Sequence, residues 1–452
     1  MYKPNIVLLT IDTLRSDRLG CYGFRPSITQ NIDWLAERSV RFTQAITGGS
    51  WTQAAFPVIL TSTNASMYGG CLAPLSPARP MPIQWLQKQG YRTAGFSTSP
   101  LLSRQYGYHQ GFDYFVDLVP EEKDPRLRRI KGGHFLLKQP ITHSLARLFG
   151  VCSRPARLYV SAEQLTREVC DWISANPTPF FVWAHYMDVH WPYHLEDRLI
   201  KPGEIAQAWR DVVHLHDANW NGAVITEVQR DHYIRLYEEA VAYTDQQLGL
   251  LFDFLESRRL IEDTLIIILA DHGEEFQEHG RWGHWEDNLH DEIIKVPLLI
   301  KPPGMMRGRV VEDQVRLLDI MPTILDICDC PAPENMLGTS LRSLWTAGNG
   351  GYLSQIAISE MWRDAWHIIA VRSETYKLIW DSKQPGAYRL YDLNQDPGET
   401  TPLKGTDDQL LEELQSHVHM TLELMNNTRE TVSAPHHDEA MINRLRDLGY
   451  LQ

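Results

Sequence analysis

Ile266-Ile267-Ile268-Leu269-Ala270-Asp271-His272-Gly273-Glu274-Glu275 is an apolar run that stops at ionisable residues, and His279-Gly280-Arg281-Trp282-Gly283-His284 follows shortly after. An unbroken apolar run of this length is a strand buried on both faces, as in a parallel sheet. Ligands of open parallel sheets bind beyond the carboxyl ends of the strands, so Asp271 and His272 stand at the mouth of a site. An adjacent carboxylate and imidazole suit a divalent metal, and a capping or ion-pair role is the other reading. Gly273 is expected to let the chain turn there.

Two further strands end in the same way. Ile6-Val7-Leu8-Leu9-Thr10-Ile11 delivers Asp12, with a cap or turn in Asp12-Thr13-Leu14-Arg15 as its plainer role. Phe180-Phe181-Val182-Trp183-Ala184 leads into His185-Tyr186-Met187-Asp188-Val189-His190-Trp191-Pro192-Tyr193, where the proline holds His190 in a rigid turn. Gly48-Gly49-Ser50-Trp51-Thr52 brings a hydroxyl to the start of a helix running towards Thr61-Ser62. A helix N-terminus offers unpaired N–H groups to an anion or an ionised nucleophile, and a simple N-cap role for Thr52 or Ser50 competes with that reading.

The 452 residues accommodate a large domain and a smaller one, and 43% hydrophobic with 22% charged residues is the texture of a globular protein. A formal net charge of −14 opposes nucleic acid or an anionic membrane as partner and fits a small substrate. An anionic substrate then needs local positive charge, for which a metal and histidines are candidates. No leader and no membrane-spanning run is evident, so a cytoplasmic protein is expected. The six cysteines are scattered and, with one Cys-x-Cys and no partner pair, are expected to be free buried thiols.

Helices expected around Ile83–Gln89, over Ser161–Asn176 and through Tyr233, Tyr237, Val241, Thr244, Leu248, Leu251 and Leu255 alternate with the strands, giving an α/β domain over residues 1–345 with a central, mostly parallel sheet flanked by helices. Asn31 is expected to cap a helix through Ile32 and Leu35. Short alternating strands at Ile356–Ser359, Ile368–Arg372, Tyr376–Trp380 and Tyr388–Leu393, followed by a helix from Asp407 to Leu424, make a small antiparallel subdomain over 352–430. Residues 119–160 form a basic excursion carrying Arg126, Arg128 and Arg129, and 431–452 form a tail helix whose Leu445, Leu448 and Leu451 are expected to dock across a subunit boundary.

The order Asp12, Thr52, His190, Asp271, His272, His284, together with Leu19-Gly20-Cys21-Tyr22-Gly23, Asp319-Ile320-Met321-Pro322-Thr323 and Leu390-Tyr391-Asp392-Leu393-Asn394, resembles the sulfatase branch of the alkaline phosphatase superfamily over nearly the whole chain. The resemblance implies an alkaline-phosphatase-like fold. It implies a metal held by Asp12, Asp271, His272 and the nucleophile, with His190 and His284 around the transferred group. Family sulfatases place a cysteine or serine, followed by Pro-Ser-Arg, where this chain has Thr52-Gln53-Ala54-Ala55-Phe56. Their lysine and histidine pair is replaced here by Ser97-Thr98-Ser99. Oxidising a threonine gives a ketone, so Thr52 cannot become formylglycine.

Asp271-His272 in place of the family's Asp-Asn resembles phosphonate monoester hydrolases and phosphodiesterases. Imidazole in the ligand set favours manganese, zinc or iron, with calcium as the oxygen-preferring alternative. The expectation is a metal-dependent hydrolase of a small anionic ester, a phosphodiester or phosphonate monoester, with Thr52 as nucleophile and His190 and His284 as catalytic partners. A sulfatase working without formylglycine, a two-metal enzyme using Asp188, His190 and His284, and a non-catalytic metal-binding protein of the same fold are the alternatives. The resembling phosphonate hydrolases are oligomers, which makes a homo-oligomer an expectation.

Overall fold

The computed structural model describes residues 3–118, 159–193, 202–346 and 355–430, apart from 364, 365, 385 and 405–407, with 432, 442 and 445 in addition. The basic excursion up to residue 158 and most of the tail lie outside the described residues.

Among the described residues ten strands precede the small subdomain: β1 (Asn5–Ile11), β2 (Val40–Ile46), β3 (Arg92–Ser97), β4 (Tyr114–Asp117), β5 (Phe180–Tyr186), β6 (Thr264–Ala270), β7 (Glu275–Phe276), β8 (Trp282–Gly283), β9 (Lys295–Lys301) and β10 (Arg309–Arg316). Eight of them form one sheet in the order β10-β2-β9-β6-β1-β5-β3-β4, and β7 pairs with β8 alone. β1, β5 and β6 are buried throughout, as their apolar runs require of strands covered by helices on both faces. β6, β1, β5, β3 and β4 run in parallel, with Ile11 beside both Ala270 and Tyr186. The residues that follow those strands, Asp12 and Asp271 among them, therefore share one edge.

β9 is antiparallel to both β6 and β2. The chain leaves β6 at its carboxyl end and re-enters the sheet as β9 from that same end. Residues 271–294 never cross the sheet and stay at the mouth, which is why one connection supplies His272, Glu274 and His284 together. Gly273 is required there by space. A Cβ would lie 2.0 Å from the Glu292 carbonyl oxygen, and the residue keeps an ordinary negative φ, so close approach replaces the expected turn as its reason.

The long helix Glu227–Ser257 begins at a capping box between Thr226 and Gln229 and buries all seven of the residues whose spacing predicted it. The expected cap Asn31 sits inside the helix Gln30–Ala36, after Thr29, and gives its amide to Asp245 Oδ2 at 2.8 Å instead.

The second sheet is antiparallel, β11 (Ala357–Arg363), β12 (Trp366–Arg372), β13 (Tyr376–Asp381) and β14 (Tyr388–Asp392), in sequence order. Its two faces serve different partners. Ile368, Ala370 and Ile379 pack on Ala54 and Val58 of the helix Thr52–Thr61, whereas Ile369, Val371 and Leu378 pack on Leu414 and Val418 of the helix Asp408–Asn427. Leu445 of the tail, expected to reach a neighbouring subunit, is buried in this chain's own main core.

Charge joins this sheet to the mouth of the large one. The fully buried Lys377 ammonium lies 2.6 Å from Asp291 and 2.7 Å from Glu399, and Arg372 grips Asp291 at 2.9 Å. Next to them His279 stacks on His290 with ring centroids 3.8 Å apart and bonds Glu292 at 2.9 Å. The Glu292 hydrogen bond lifts His279 from 6.5 to about 9, against the effect of burial. Burial opposes the Glu292 charge, yet the hydrogen bonds from His279 and Asn288 bring that carboxyl from 4.5 to about 2.

The imidazolium therefore contributes stability in full below pH 6.5, fading as pH rises to about 9. The carboxylate contributes in full above pH 4.5, fading as pH falls to about 2. His279→Gln is expected to lower the melting temperature by a few degrees at pH 5.5, with the deficit shrinking towards zero at pH 9.5. Thermal denaturation of both proteins at the two pH values checks it.

Candidate metal centre and active site

Asp12 and Asp271 leave adjacent strands with no solvent exposure. Asp12 Oδ2 accepts from the Thr52 hydroxyl at 3.3 Å and faces His185 Nε2 at 3.2 Å. Asp271 Oδ1 accepts from the His272 amide at 3.0 Å and the Thr13 amide at 3.4 Å. The remaining oxygens, Asp12 Oδ1 and Asp271 Oδ2, have no hydrogen-bond partner, and neither has His272 Nε2. That nitrogen approaches the same two oxygens, at 3.7 Å and 3.5 Å, while its ring is held by Nδ1 against the Gly273 carbonyl at 3.0 Å.

Buried polar atoms without partners, with His272 Nε2 facing one oxygen of each carboxylate, are a donor set that suits a cation. Titration agrees. Burial and the charge of Asp12 push Asp271 well above the usual carboxylate range. Burial works against the Asp12 charge as well, but His185, His190 and His272 outweigh it and hold that carboxyl well below the usual range. Burial, with His284 adding to it, drives His272 down to about 3, so it is neutral and able to ligate.

Thr13 turns the chain immediately after Asp12 with φ 56°, a left-handed conformation that costs a β-branched residue about 1–3 kcal/mol. Three contacts hold it there: its amide on Asp271, its hydroxyl on the Val189 carbonyl at 3.0 Å, and Tyr237 on its own carbonyl at 2.7 Å.

Thr52 is the first residue of its helix, and the cap position belongs to Trp51, which makes no side-chain cap bond. The Thr52 hydroxyl points at Asp12 rather than at the helix amides, and Ser50 gives its own to the Glu286 carbonyl. Gly49 precedes them with so little room that a Cβ would lie 2.3 Å from that of Ala54.

An imidazole shell surrounds the cluster. The His284 ring lies 4.5 Å from that of His272 and 5.1 Å from that of His190. His284 Nδ1 meets Glu274 Oε1 at 3.0 Å, and His190 Nδ1 donates to the Trp191 carbonyl at 2.6 Å. Their environments push them apart. Burial disfavours charge on both, but Glu274 raises His284, whereas His190 stays lowered despite Asp12.

All six residues named from sequence thus converge, and two more belong with them. Glu274, fully buried, orients His284. His185 forms, with Asp12 and Asp271, a group whose donor atoms lie within 4.8 Å of one another. Among the described residues His272 lies outside that group, and Asp188, His190 and His284 do not form another. The signal for His185 was its register, level with Thr10 on β1, two residues from Asp12.

A family model described as "Sulfatase" matches residues 4–330, and one described as "N-sulphoglucosamine sulphohydrolase, C-terminal" matches residues 278–428. The chain belongs to the sulfatase family. It is a hydrolase-family member of the alkaline phosphatase superfamily. It is 25% identical to an uncharacterised Escherichia coli K12 sulfatase, YidJ, over 95% of this chain and 88% of that one. It is 22% identical to a Clostridium perfringens arylsulfatase over 90% and 91%. Among solved structures, the phosphonate monoester hydrolase of Agrobacterium radiobacter superimposes with a TM-score of 0.71 at 20% identity, covering 96% of this chain and 97% of its own. A protein solved with its substrate D-glucosamine-2-N,6-O-disulfate does so with 0.70 at 17%, covering 94% and 98%. No described helix is long and apolar enough to cross a membrane.

Sulfatase-fold proteins bind a divalent metal, and the unpartnered oxygens and nitrogen described above fit one. Protein purified without added metal is expected to carry about one equivalent of manganese, zinc or iron. Asp271→Ala should reduce it below about a tenth of that, as elemental analysis would show.

Proposed function

We propose that this sulfatase-family protein hydrolyses a phosphodiester or phosphonate monoester, with Thr52 as nucleophile and a metal held by Asp12, Asp271 and His272. The observation that carries this reading is the Thr52 hydroxyl, directed at Asp12 from the first turn of a helix and unable to yield formylglycine. A divalent cation at Asp12, Asp271 and His272 supplies Lewis acidity, lowering the pKa of a hydroxyl and offsetting charge on a phosphoryl oxygen. Thr52 Oγ1 forms the new bond to phosphorus, and Asp12 Oδ2, its hydrogen-bond partner, is the acceptor already in place for its proton.

The bond to the leaving oxygen breaks as Thr52 attacks. His284, raised by Glu274 with Nδ1 engaged, has Nε2 left to protonate that oxygen, a contribution of about 10²-fold or more. His190 is kept neutral by burial, with Nδ1–H committed to the Trp191 carbonyl. It takes a proton from the water that attacks phosphorus, and as the phosphorus–Oγ1 bond breaks Asp12 Oδ2 returns the proton that restores the Thr52 hydroxyl.

A sulfate ester is the second reading, favoured by the sulfatase names of the relatives. Chemistry separates the two. Water can reopen a phosphothreonine, whereas a sulfated threonine lacks the elimination route that formylglycine provides. Aryl phosphodiester and aryl phosphonate turnover should exceed aryl sulfate turnover, with the sulfate giving one burst and then arrest. Sustained sulfate turnover above both phosphorus esters would establish the second reading.

Thr52→Ala is expected to cut kcat by about 10³-fold or more and Thr52→Ser to stay within about tenfold of wild type. If the hydroxyl merely stabilised the helix start, Thr52→Ala would cost about 1 kcal/mol of stability and leave the rate per folded molecule intact.

A further inference from the structure

His185 has the residue type and the proximity of a metal ligand, but both of its nitrogens already have partners. It is the next-to-last residue of β5, with no solvent exposure, level with Thr10 of β1. Trp183 Nε1, which can only donate, gives its hydrogen to Thr10 Oγ1 at 3.1 Å. The Thr10 hydroxyl proton is then free to go elsewhere. It has two acceptors in reach, His185 Nδ1 at 2.9 Å and the Ala184 carbonyl at 3.4 Å, and the imidazole is much the nearer.

Accepting at Nδ1 places the His185 proton on Nε2, which faces Asp12 Oδ2 at 3.2 Å. An unprotonated nitrogen there would set a lone pair against a carboxylate oxygen. Phe56, one helical turn after Thr52, holds the ring edge-on with centroids 4.9 Å apart at 84°. Oδ2 is thereby occupied by two donors, Thr52 and His185, while Oδ1 stays among the unpartnered atoms with Asp271 Oδ2 and His272 Nε2. No His185 nitrogen is among those atoms.

We propose that His185 is a positioning residue and not a ligand: the Trp183–Thr10–His185 relay fixes its tautomer, and its Nε2–H turns Asp12 so that Oδ1 faces the cation and Oδ2 holds Thr52. This rests on the assignment of Asp12, Asp271 and His272 as the cation's holders. Partners of this kind typically change metal affinity about 10–100-fold when removed.

Two measurements on the full chain test it. Wild-type protein loaded with manganese(II) should show, by electron spin-echo envelope modulation, coupling to the nitrogen of one imidazole, that of His272. Coupling to two would make His185 a ligand and overturn the proposal. Isothermal titration with manganese(II) should find His185→Leu weakened about 10–100-fold. His185→Gln, whose amide N–H can reach Asp12 as Nε2–H does, should stay within about threefold of wild type. Thr10→Val, which leaves the tautomer unset, should lie between them. Equal weakening of the Gln and Leu variants would overturn the proposal, and circular dichroism confirms that each variant is folded. If His185→Leu does not fold, the wild-type spectrum and the Gln variant still decide. Wild-type protein that takes up no manganese would instead remove the metal centre itself, and the role of His185 with it, before any variant is made.

Discussion

Two carboxylates with no exposed surface meet at the ends of neighbouring parallel strands, and among the described residues no lysine or arginine is paired with either. Like charges in a low-dielectric interior repel strongly, which is why Asp12 and Asp271 are driven to opposite ends of the carboxylate range. Everything near the mouth is arranged around that conflict. His185 and His272 face Asp12, amides of Thr13 and His272 face Asp271, and His272 Nε2 faces the oxygen that each carboxylate has left over. A fold with this geometry is poised for a cation, because a cation relieves the repulsion and satisfies the unpartnered atoms at once.

Two devices keep the surrounding parts in register with that pair. The antiparallel return of β9 confines residues 271–294 to the carboxyl edge, so one connection carries His272, His284 and the Glu274 carboxylate that orients His284. The helix Thr52–Thr61 is held from the other side by the small sheet, whose Ile368 and Ala370 pack on Ala54 and Val58. The small sheet therefore helps to position Thr52. The Lys377–Asp291–Glu399 cluster ties the same sheet to the loop that bears His284.

The strands were legible because a doubly covered strand must be apolar throughout, and their polar ends stood out against that run. Direction was not. β9 has the same texture as its parallel neighbours, and only the length and course of the connection before it decide which way it runs. His185 escaped notice because it lies within a strand rather than beyond one, where facing a neighbour's side chain depends on register. Glu274 was visible as part of a motif, yet its role depends on a hairpin that returns His284 ten residues later. Asn31 shows the reverse error, a good local cap signal overruled by the tertiary partner Asp245.

Thr13 carries the cost of the arrangement. Its left-handed backbone is a conformation that glycine adopts freely, so glycine there would relieve strain. Glycine would also remove the hydroxyl that binds the Val189 carbonyl, the tie between the end of β1 and the loop bearing His190. A residue that is locally unfavourable but globally required marks a place where selection for thermostability and selection for a stiff active site pull in opposite directions. With threonine at this position the chain has a less stable turn in a better-held mouth.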